Sequence, residues 1–533
     1  LDYKGNSVRI GVLIVIFFIS IYILAMNGRF STSMDVEVYK AAKSVVETGS
    51  FGLQEKTMAS KIGKDGKNYV VEGLGVILSG VPFVYLSKFV GIPSGRLVVL
   101  MNQLLTPLVC LLIFLLGKEL KYSLKTSVLL SFIYGLGTMA FVHSKYMFPE
   151  PLTSIAFLSS LLFLFKYRKS KRNLFLFIAG SFTGFTLIIR PDSFIFMFCM
   201  LIALAMLFYQ DKKQGQSFSL LIKQAILLLI PLVFFFILFS YYNYLRFGNI
   251  LETGYTMGKE GEAATLSYAS RFLNIGKTIE GLLGMWLIPC RSIFFISPIL
   301  ILFLFSIKDF WRKYRFEARV MGAVFVLYTL LYSNRGPTGF PGSAAWGVRY
   351  MLPMVSFMII PIGCFLDKIF AENKILWKRL FGTLLGISIV IQIIGSSVNY
   401  QMIQMPLNNQ IVNDPAVKAR FSSQEEINKY AGHETRWRLL MSPKWNLISK
   451  NIEILRTTDQ TDFMLYNMLK ADFKGQADWA KISIFLLILY LISTIFVSGY
   501  FILKPVEIFP LRVVKAVPQK QLESKSGRHL KKR

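Results

Sequence analysis

Apolar residues come in long blocks along this chain, and short polar turns separate them. The first block, Ile10 to Met26, carries no charge and falls just short of the roughly 20 apolar residues of a membrane span, a shortfall that local bilayer thinning absorbs. Lys and Arg between blocks mark turns that face the cytoplasm. Lys4 and Arg9 precede the first block, and the strongest later clusters are Lys166-Tyr167-Arg168-Lys169-Ser170-Lys171-Arg172, the set Lys308, Arg312, Lys313, Arg315 and Arg319, and the terminal Lys531-Lys532-Arg533. Alternation from these anchors predicts spans at Ile10–Met26, Leu97–Leu116, Ser127–Val142, Leu152–Phe165, Leu174–Ile189, Phe194–Phe208, Ala225–Leu245, Ile293–Ser306, Val320–Tyr332, Met351–Leu366, Leu380–Val398 and Ile482–Leu503. That is an all-α polytopic membrane protein of about twelve crossings with both termini in the cytoplasm. Leu74–Val90 competes with Leu97–Leu116 for one crossing. Gly75, Gly80, Pro82 and Lys88 interrupt it, so it is expected to be an interfacial or re-entrant helix on the outer side.

The same alternation leaves four outer regions: Asn27–Arg96, Arg246–Arg291, Ser333–Tyr350 and Tyr400–Lys481. Residues 1–399 then form a transmembrane module with its first outer loop at 27–96. Residues 400–481, with Trp437, Trp445 and Leu439-Leu440-Met441, form a small helical outer cap. The last span follows at 482–503, and 504–533 is a basic cytoplasmic tail suited to anionic headgroups. No small-residue cleavage site follows the first block, which predicts an uncleaved anchor. No internal repeat of the kind found in many secondary transporters is evident.

Composition agrees: of 533 residues, 54% are hydrophobic, 15% aromatic and 17% charged, which excludes an ordinary soluble domain. The net charge of +30 would suit nucleic acid, but the cations fall in short clusters between apolar blocks and do not form a basic aromatic-lined patch, so no nucleic-acid partner is expected. Cys110, Cys199, Cys290 and Cys364 lie in or beside apolar blocks without CxxC spacing, which predicts free, packed thiols.

Chemistry is expected where the alternation gathers polar residues on one side: Asp35 and Glu37 after the first block, His143, Lys145 and Glu150, then Arg190 and Asp192, Arg246, Arg335 and Arg349 with Tyr350. Carboxylates beside arginines at a membrane face suit a phosphate on a lipid tail. Arginine's planar fork pairs with phosphate oxygens, and a carboxylate can deprotonate an acceptor or hold a metal ion. No zinc-site spacing, P-loop or dinucleotide fingerprint occurs. An ion pair of Asp35 with Arg29 or Lys40 is the competing structural reading. His143 is given no role.

These features, in this order, resemble the GT-C superfamily of integral-membrane glycosyltransferases, which includes protein O-mannosyltransferases and the aminoarabinose transferase of lipid A. Met34-Asp35-Val36-Glu37 resembles the acidic motif of the family's first outer loop, Leu74–Val90 one of its juxtamembrane helices, and Glu150 in Phe148-Pro149-Glu150-Pro151 its second acid. Arg190-Pro191-Asp192, Tyr242-Asn243-Tyr244-Leu245-Arg246-Phe247-Gly248 with Gly254-Tyr255, and Trp346-Gly347-Val348-Arg349-Tyr350-Met351-Leu352-Pro353 are similar to further family turns. The likeness runs from about Ile10 to Pro361. It departs from the usual pattern in that Val36 separates the two acids, so a helix would aim only one of them at the site, and Asp35 is favoured.

The resemblance implies a multi-pass enzyme of the plasma (inner) membrane, with its site facing outside, that moves a sugar from a polyprenyl-phosphate donor to a glycan, lipid or protein acceptor. Asp35 is then the catalytic base and Glu150 the second catalytic acid. Glu37, Lys145, Arg190, Asp192, Arg246, Arg349 and Tyr350 bind substrate, with Arg349 on the phosphate. No cofactor is required, although the acids could hold a divalent cation. The alternatives are a flippase for lipid-linked saccharides, which would need polar residues deep in the spans, and a non-catalytic assembly factor, which would keep Asp35 and Glu150 far apart.

Overall fold

Hydrocarbon offers a peptide group no hydrogen-bond partner, so the apolar blocks satisfy their backbone internally, as helices. The computed structural model of the protein describes residues 3–255, 275–288, 290–335, 345–458, 461–470 and 477–508. Within them the chain is almost wholly helical; its sheet is a hairpin of β1 (Lys61–Ile62) and β2 (Asn68–Tyr69). Helix α1 spans Tyr3–Ala25, α2 Ser33–Thr48, α3 Leu74–Val90, α4 Ser94–Val98, α5 Met101–Glu119, α6 Leu124–Gly137, α7 Ala140–His143, α8 Glu150–Ser170, α9 Asn173–Ile189, α10 Phe194–Lys213 and α11 Phe218–Phe247. Later helices of spanning character are Arg315–Ser333, Leu352–Ala371, Ile375–Ser397 and Ala477–Ile508.

Eight described helical segments are long and apolar enough to cross a membrane: Asn6–Ala25, Ser94–Glu119, Pro191–Lys213, Phe218–Phe247, Arg315–Ser333, Arg349–Ala371, Ile375–Ser397 and Lys481–Lys504. Leu74–Val90, Leu124–Gly137 and Asn173–Ile189 are apolar but shorter. Two expected spans are broken. Ser127–Val142 stops at Gly137, because Thr138 turns extended and its hydroxyl bonds the Tyr134 carbonyl, while the Met139 amide donates to Ser297 Oγ at 3.2 Å. Ile293–Ser306 becomes a short helix Ile293–Ile296, a 3-10 turn Pro298–Ile301 and a helix Leu302–Lys313. Pro298 has no amide to donate and starts the new turn. The neighbouring backbone groups are satisfied by Ile375–Ser397: Ser388 Oγ accepts the Ile299 amide at 2.9 Å, and Gln392 donates to the Ile296 carbonyl at 2.6 Å.

Helix α3 is not stacked among the long helices from end to end. Its Gly80 crosses α2 at Ala42 and Val38, and at its foot Gly73 is pressed against the carbonyls of Ile188 and Ile189 at the end of α9. Residues 401–470 form further helices packed on that same end of the bundle. The Asp462 amide bonds the Ser397 carbonyl and the Met464 amide bonds the Met26 carbonyl, both at 2.8 Å. The glycine-rich stretch 336–344 and the tail beyond 508 lie outside the described residues.

Small residues bring α9 and α11 together. Gly180 and Gly184, one turn apart on α9, face Leu228, Pro231 and Phe235 of α11, and Ser160 of α8 bonds Thr183 at 2.7 Å. Helices that gain no hydrophobic stabilisation from leaving lipid associate through such close backbone approach. A methyl group on Gly180 would lie 2.6 Å from the Leu228 carbonyl oxygen, whereas one on Gly382 meets nothing within 4 Å. Gly180→Ala is therefore expected to cost about 1–3 kcal/mol of stability. Gly382→Ala should be neutral or slightly stabilising, and thermal unfolding of both variants in one detergent checks the contrast.

Candidate active site

One end of the bundle collects the ionisable side chains that lie at helix termini. Asp35 begins α2, Glu150 begins α8, Arg190 follows α9, Arg246 closes α11 and Arg349 opens the turn before Leu352–Ala371. The cluster Lys166–Arg172 occupies the opposite end of α8. Asp35 Oδ1 accepts the Met147 amide at 2.8 Å, and Glu150 lies three residues beyond Met147. Three extended residues span at most about 11 Å, so the two acids lie at the same end, against the expectation for an assembly factor.

Asp35 is 2% exposed and closes a capping box with Thr32. Its Oδ2 accepts the amides of Ser31 and Thr32 at 2.8 and 2.9 Å. With the Met147 bond, three backbone donors fill most of what a carboxylate can accept. Burial pushes its pKa up and these amides pull it partly back. No ion pair to Arg29 or Lys40 forms: Arg29 pairs with Asp462 and Lys40 with Glu55. Glu37 points elsewhere, as its spacing from Asp35 requires, and accepts the Ala59 amide at 3.0 Å. Burial raises its pKa too.

Glu150 is fully buried. Its Oε1 pairs with Arg190 at 2.8 Å and faces Arg349 Nε at 3.4 Å, while Oε2 has no partner among the described residues. Arg190 also forks onto Asp192 at 3.2 and 3.1 Å and bonds the Tyr332 hydroxyl at 2.9 Å. Four of its five donors are thereby used. Arg190 and Asp192 therefore shape the site and leave little for a substrate. Arg246 bonds the Val70 carbonyl and Asn243, both at 2.7 Å, under the rings of Tyr242 and Phe247, so it holds the first loop in place.

Lys145 is likewise occupied. Its ammonium bonds the carbonyls of Ser396 and Asp462 and the Asp462 carboxylate, with Phe463 beneath it. Burial lowers its pKa to about 8, opposed by Asp462. Arg29 pairs with the same carboxylate at 3.0 Å. His143 bonds the Trp346 carbonyl at 2.9 Å through Nε2, which must carry the proton because a carbonyl only accepts. Burial and then Arg349 push its pKa down to about 3, so it is a neutral structural side chain.

Arg349 differs from the other site arginines. It is 5% exposed, lies over Phe148 at 4.0 Å, and its terminal nitrogens donate to no described residue. Tyr350 stacks on Tyr332 and carries Arg190, Arg335 and Arg349 against its ring. Residues outside the sequence expectation complete the site. Glu72 is 4% exposed, its pKa pushed up to about 7 by burial and then by Glu37. Arg291 is buried with Nε and Nη1 unpartnered among the described residues, beside Tyr400. The one signal for Glu72 was a lone acid among apolar residues in Val70-Val71-Glu72-Gly73-Leu74. Among the described residues no three His, Cys, Asp or Glu side chains converge as metal ligands. An apolar groove of about 470 Å³ between α1, Ile375–Ser397 and the last helix is lined by Leu24, Phe141, Ile393, Phe463 and Leu469, with none of these charges on its wall.

No family model and no curated protein matches the chain. Solved structures do. The apo oligosaccharyltransferase of Archaeoglobus fulgidus aligns with TM-score 0.50 and 11% identity over 83% of this chain and 65% of its own. The same organism's oligosaccharyltransferase AglB, with an inhibitory peptide and a dolichol-phosphate, gives 0.48 and 12% over 84% and 61%. ArnT from Cupriavidus metallidurans bound to undecaprenyl phosphate gives 0.42 and 10% over 92% and 88%. The chain thus spans under two thirds of the length of the oligosaccharyltransferases it resembles. These neighbours are GT-C membrane glycosyltransferases, and the likeness is one of fold.

The hydrogen bonding around Asp35 predicts the effect of removing its charge. An amide at position 35 would turn its own N–H₂ toward backbone donors that now meet a carboxylate oxygen. Asp35→Asn is expected to lose about 1–3 kcal/mol of stability, the cost of unsatisfied buried donors. Thermal unfolding without substrate measures that loss separately from any effect on turnover.

Proposed function

We propose that this protein is a GT-C glycosyltransferase that transfers a sugar, with inversion, from a polyprenyl-phosphate donor to a hydroxyl-bearing glycan, lipid or protein acceptor at the outer membrane face. The observation that carries the reading is Arg349: a guanidinium whose terminal nitrogens bond no described residue, beside buried acids at one end of the bundle, in a GT-C fold. Such a fork suits phosphate oxygens, and stabilises the lipid phosphate as its bond to the anomeric carbon breaks. AglB binds a lipid phosphate of this class, dolichol-phosphate. A buried carboxylate of this site takes the acceptor's proton as the new bond forms. Motif order points to Asp35 for this role, but its two oxygens already accept three backbone amides. Glu150 holds Arg190 and Arg349 in register for the donor.

Two measurements test the reading. Arg349→Lys keeps the charge but loses the fork, and should weaken donor binding about tenfold or more, the worth of a charged hydrogen bond. Arg335→Lys, at a more exposed position, should change it less. Equal donor affinity in wild type and Arg349→Lys reduces Arg349 to a structural side chain. For the face of the membrane, an impermeant thiol reagent should label a cysteine at Asn409 from outside and spare one at Ser170, both on exposed helix surfaces. Reversed labelling moves the site to the cytoplasm and removes an outer-face donor.

A further inference from the structure

Several buried acids lie at this end of the bundle, and among the described residues all but one are tied to amides, arginines or a lysine. Asp35 accepts three amides, Glu37 one amide, Glu150 two arginines, Asp192 the fork of Arg190, and Asp462 both Arg29 and Lys145. Glu150 leaves Oε2 open but holds two arginines on Oε1, whereas Glu72 makes no ion pair among the described residues. Its Oε2 receives the Tyr255 hydroxyl at a long 3.4 Å, and no described residue donates to Oε1.

The backbone around Glu72 is nevertheless fixed from two sides. Arg246 of α11 holds the Val70 carbonyl at 2.7 Å, and the Tyr242 hydroxyl reaches the Glu72 carbonyl at 3.4 Å. A side chain on Gly73 would meet the carbonyl oxygens of Ile189 and Ile188 at 2.2 and 2.5 Å, so only glycine lets the foot of α3 seat against α9 there. A rigidly placed, buried acid without an ion pair is an arrangement suited to moving a proton, because positioning and an unfilled lone pair are both needed.

We propose that Glu72, and not Asp35, is the proton acceptor of the transfer reaction. This rests on the reading of the site as a glycosyltransferase. The acceptor hydroxyl oxygen bonds the anomeric carbon, the bond from that carbon to the donor phosphate oxygen breaks, and its electron pair leaves with the lipid phosphate against Arg349. The hydroxyl proton passes to Glu72 Oε1 and afterwards to water. Asp35 is a positioning residue that ties α2 to Met147, the residue before Phe148, on which Arg349 rests. The groups that face Glu72 are Glu37 of α2, Glu150 of α8, Arg190 after α9, Tyr242 and Arg246 of α11, Tyr255, and Arg349. Burial and the neighbouring Glu37 outweigh the two arginines that oppose them and carry the Glu72 carboxyl to about 7, where a base works near neutral pH.

The experiment uses the full-length protein in lipid with a polyprenyl-phosphate sugar as donor, and follows transfer rate, donor affinity and thermal stability from pH 5 to pH 9. Glu72→Gln should lower turnover about 10²- to 10⁴-fold with donor affinity within about twofold of wild type. The wild-type rate should rise with pH through about 7, and that limb should vanish in the variant. Stability supplies a readout free of catalysis. A carboxyl whose pKa is higher folded than unfolded makes the folded state bind more protons between the two values, so stability falls as pH rises through that window. Glu72→Gln should remove this fall and unfold at a higher temperature than wild type at pH 8. Wild-type turnover and an intact limb in Glu72→Gln overturn the assignment, and so does an Asp35→Asn protein of unchanged stability that has lost turnover while Glu72→Gln retains it. A wild-type protein that binds and transfers no polyprenyl-linked sugar overturns the glycosyltransferase reading itself, and the assignment with it.

Discussion

Taking an ionised group out of water costs several kcal/mol unless another charge or dipole replaces the water. That constraint organises the site end of this molecule. Glu150, fully buried at the start of α8, is matched by Arg190 at the end of α9 and by Arg349 before Leu352–Ala371. Arg190 is matched in turn by Asp192 and the Tyr332 hydroxyl. The Glu150–Arg349 and Arg190–Tyr332 pairings join helices that are distant in the chain, so the charges register the helix ends against one another in a way that apolar packing along the bundle does not. Removing one partner would leave the other buried and bare, which gives these groups a structural role whatever they do in chemistry.

The C-terminal segment is tied on by the same principle. Asp462 bridges Arg29, just beyond α1, and Lys145, before α8, while its own amide bonds the end of Ile375–Ser397. Lys145 uses its donors on that bridge, which is why a lysine that looked like a phosphate ligand serves as a staple. The staple sits against Phe463, and the apolar groove lies directly behind it. A displacement of residues 461–470 would therefore reach Lys145 and the 143–150 segment, and through Met147 the Asp35 carboxylate.

What remains after every charge is matched defines where a ligand can act. Among the described residues Arg349 keeps unengaged terminal nitrogens, Arg291 keeps two unpartnered ones beside Tyr400, and Glu72 keeps an idle oxygen. A fold that satisfied all three internally would gain stability and lose the means of holding a polar substrate. The residual mismatch is the usual mark of a functional site in a structure otherwise consistent at every level.

The sequence by itself determined that the protein is built for lipid, that its elements are helices, and that its acids and arginines gather at one end. Blocks of apolar residues and clusters of Lys and Arg are local properties, legible one segment at a time. It also contained the capping box of Thr32 and Asp35, since a cap is set by residues three apart. It could not show that Thr138 and Pro298 would break two apolar blocks, because the groups that take over the freed backbone, Ser297, Ser388 and Gln392, come from elsewhere in the chain. Nor could it sort free acids from engaged ones. Asp35 finds Met147 across 112 residues and Lys145 finds Asp462 across 317. Motif order put the chemistry on Asp35 and passed over Glu72. Only the tertiary structure decided which carboxylate was already satisfied, because hydrogen-bond satisfaction depends on the neighbours a residue acquires in the fold, and composition and spacing do not record them.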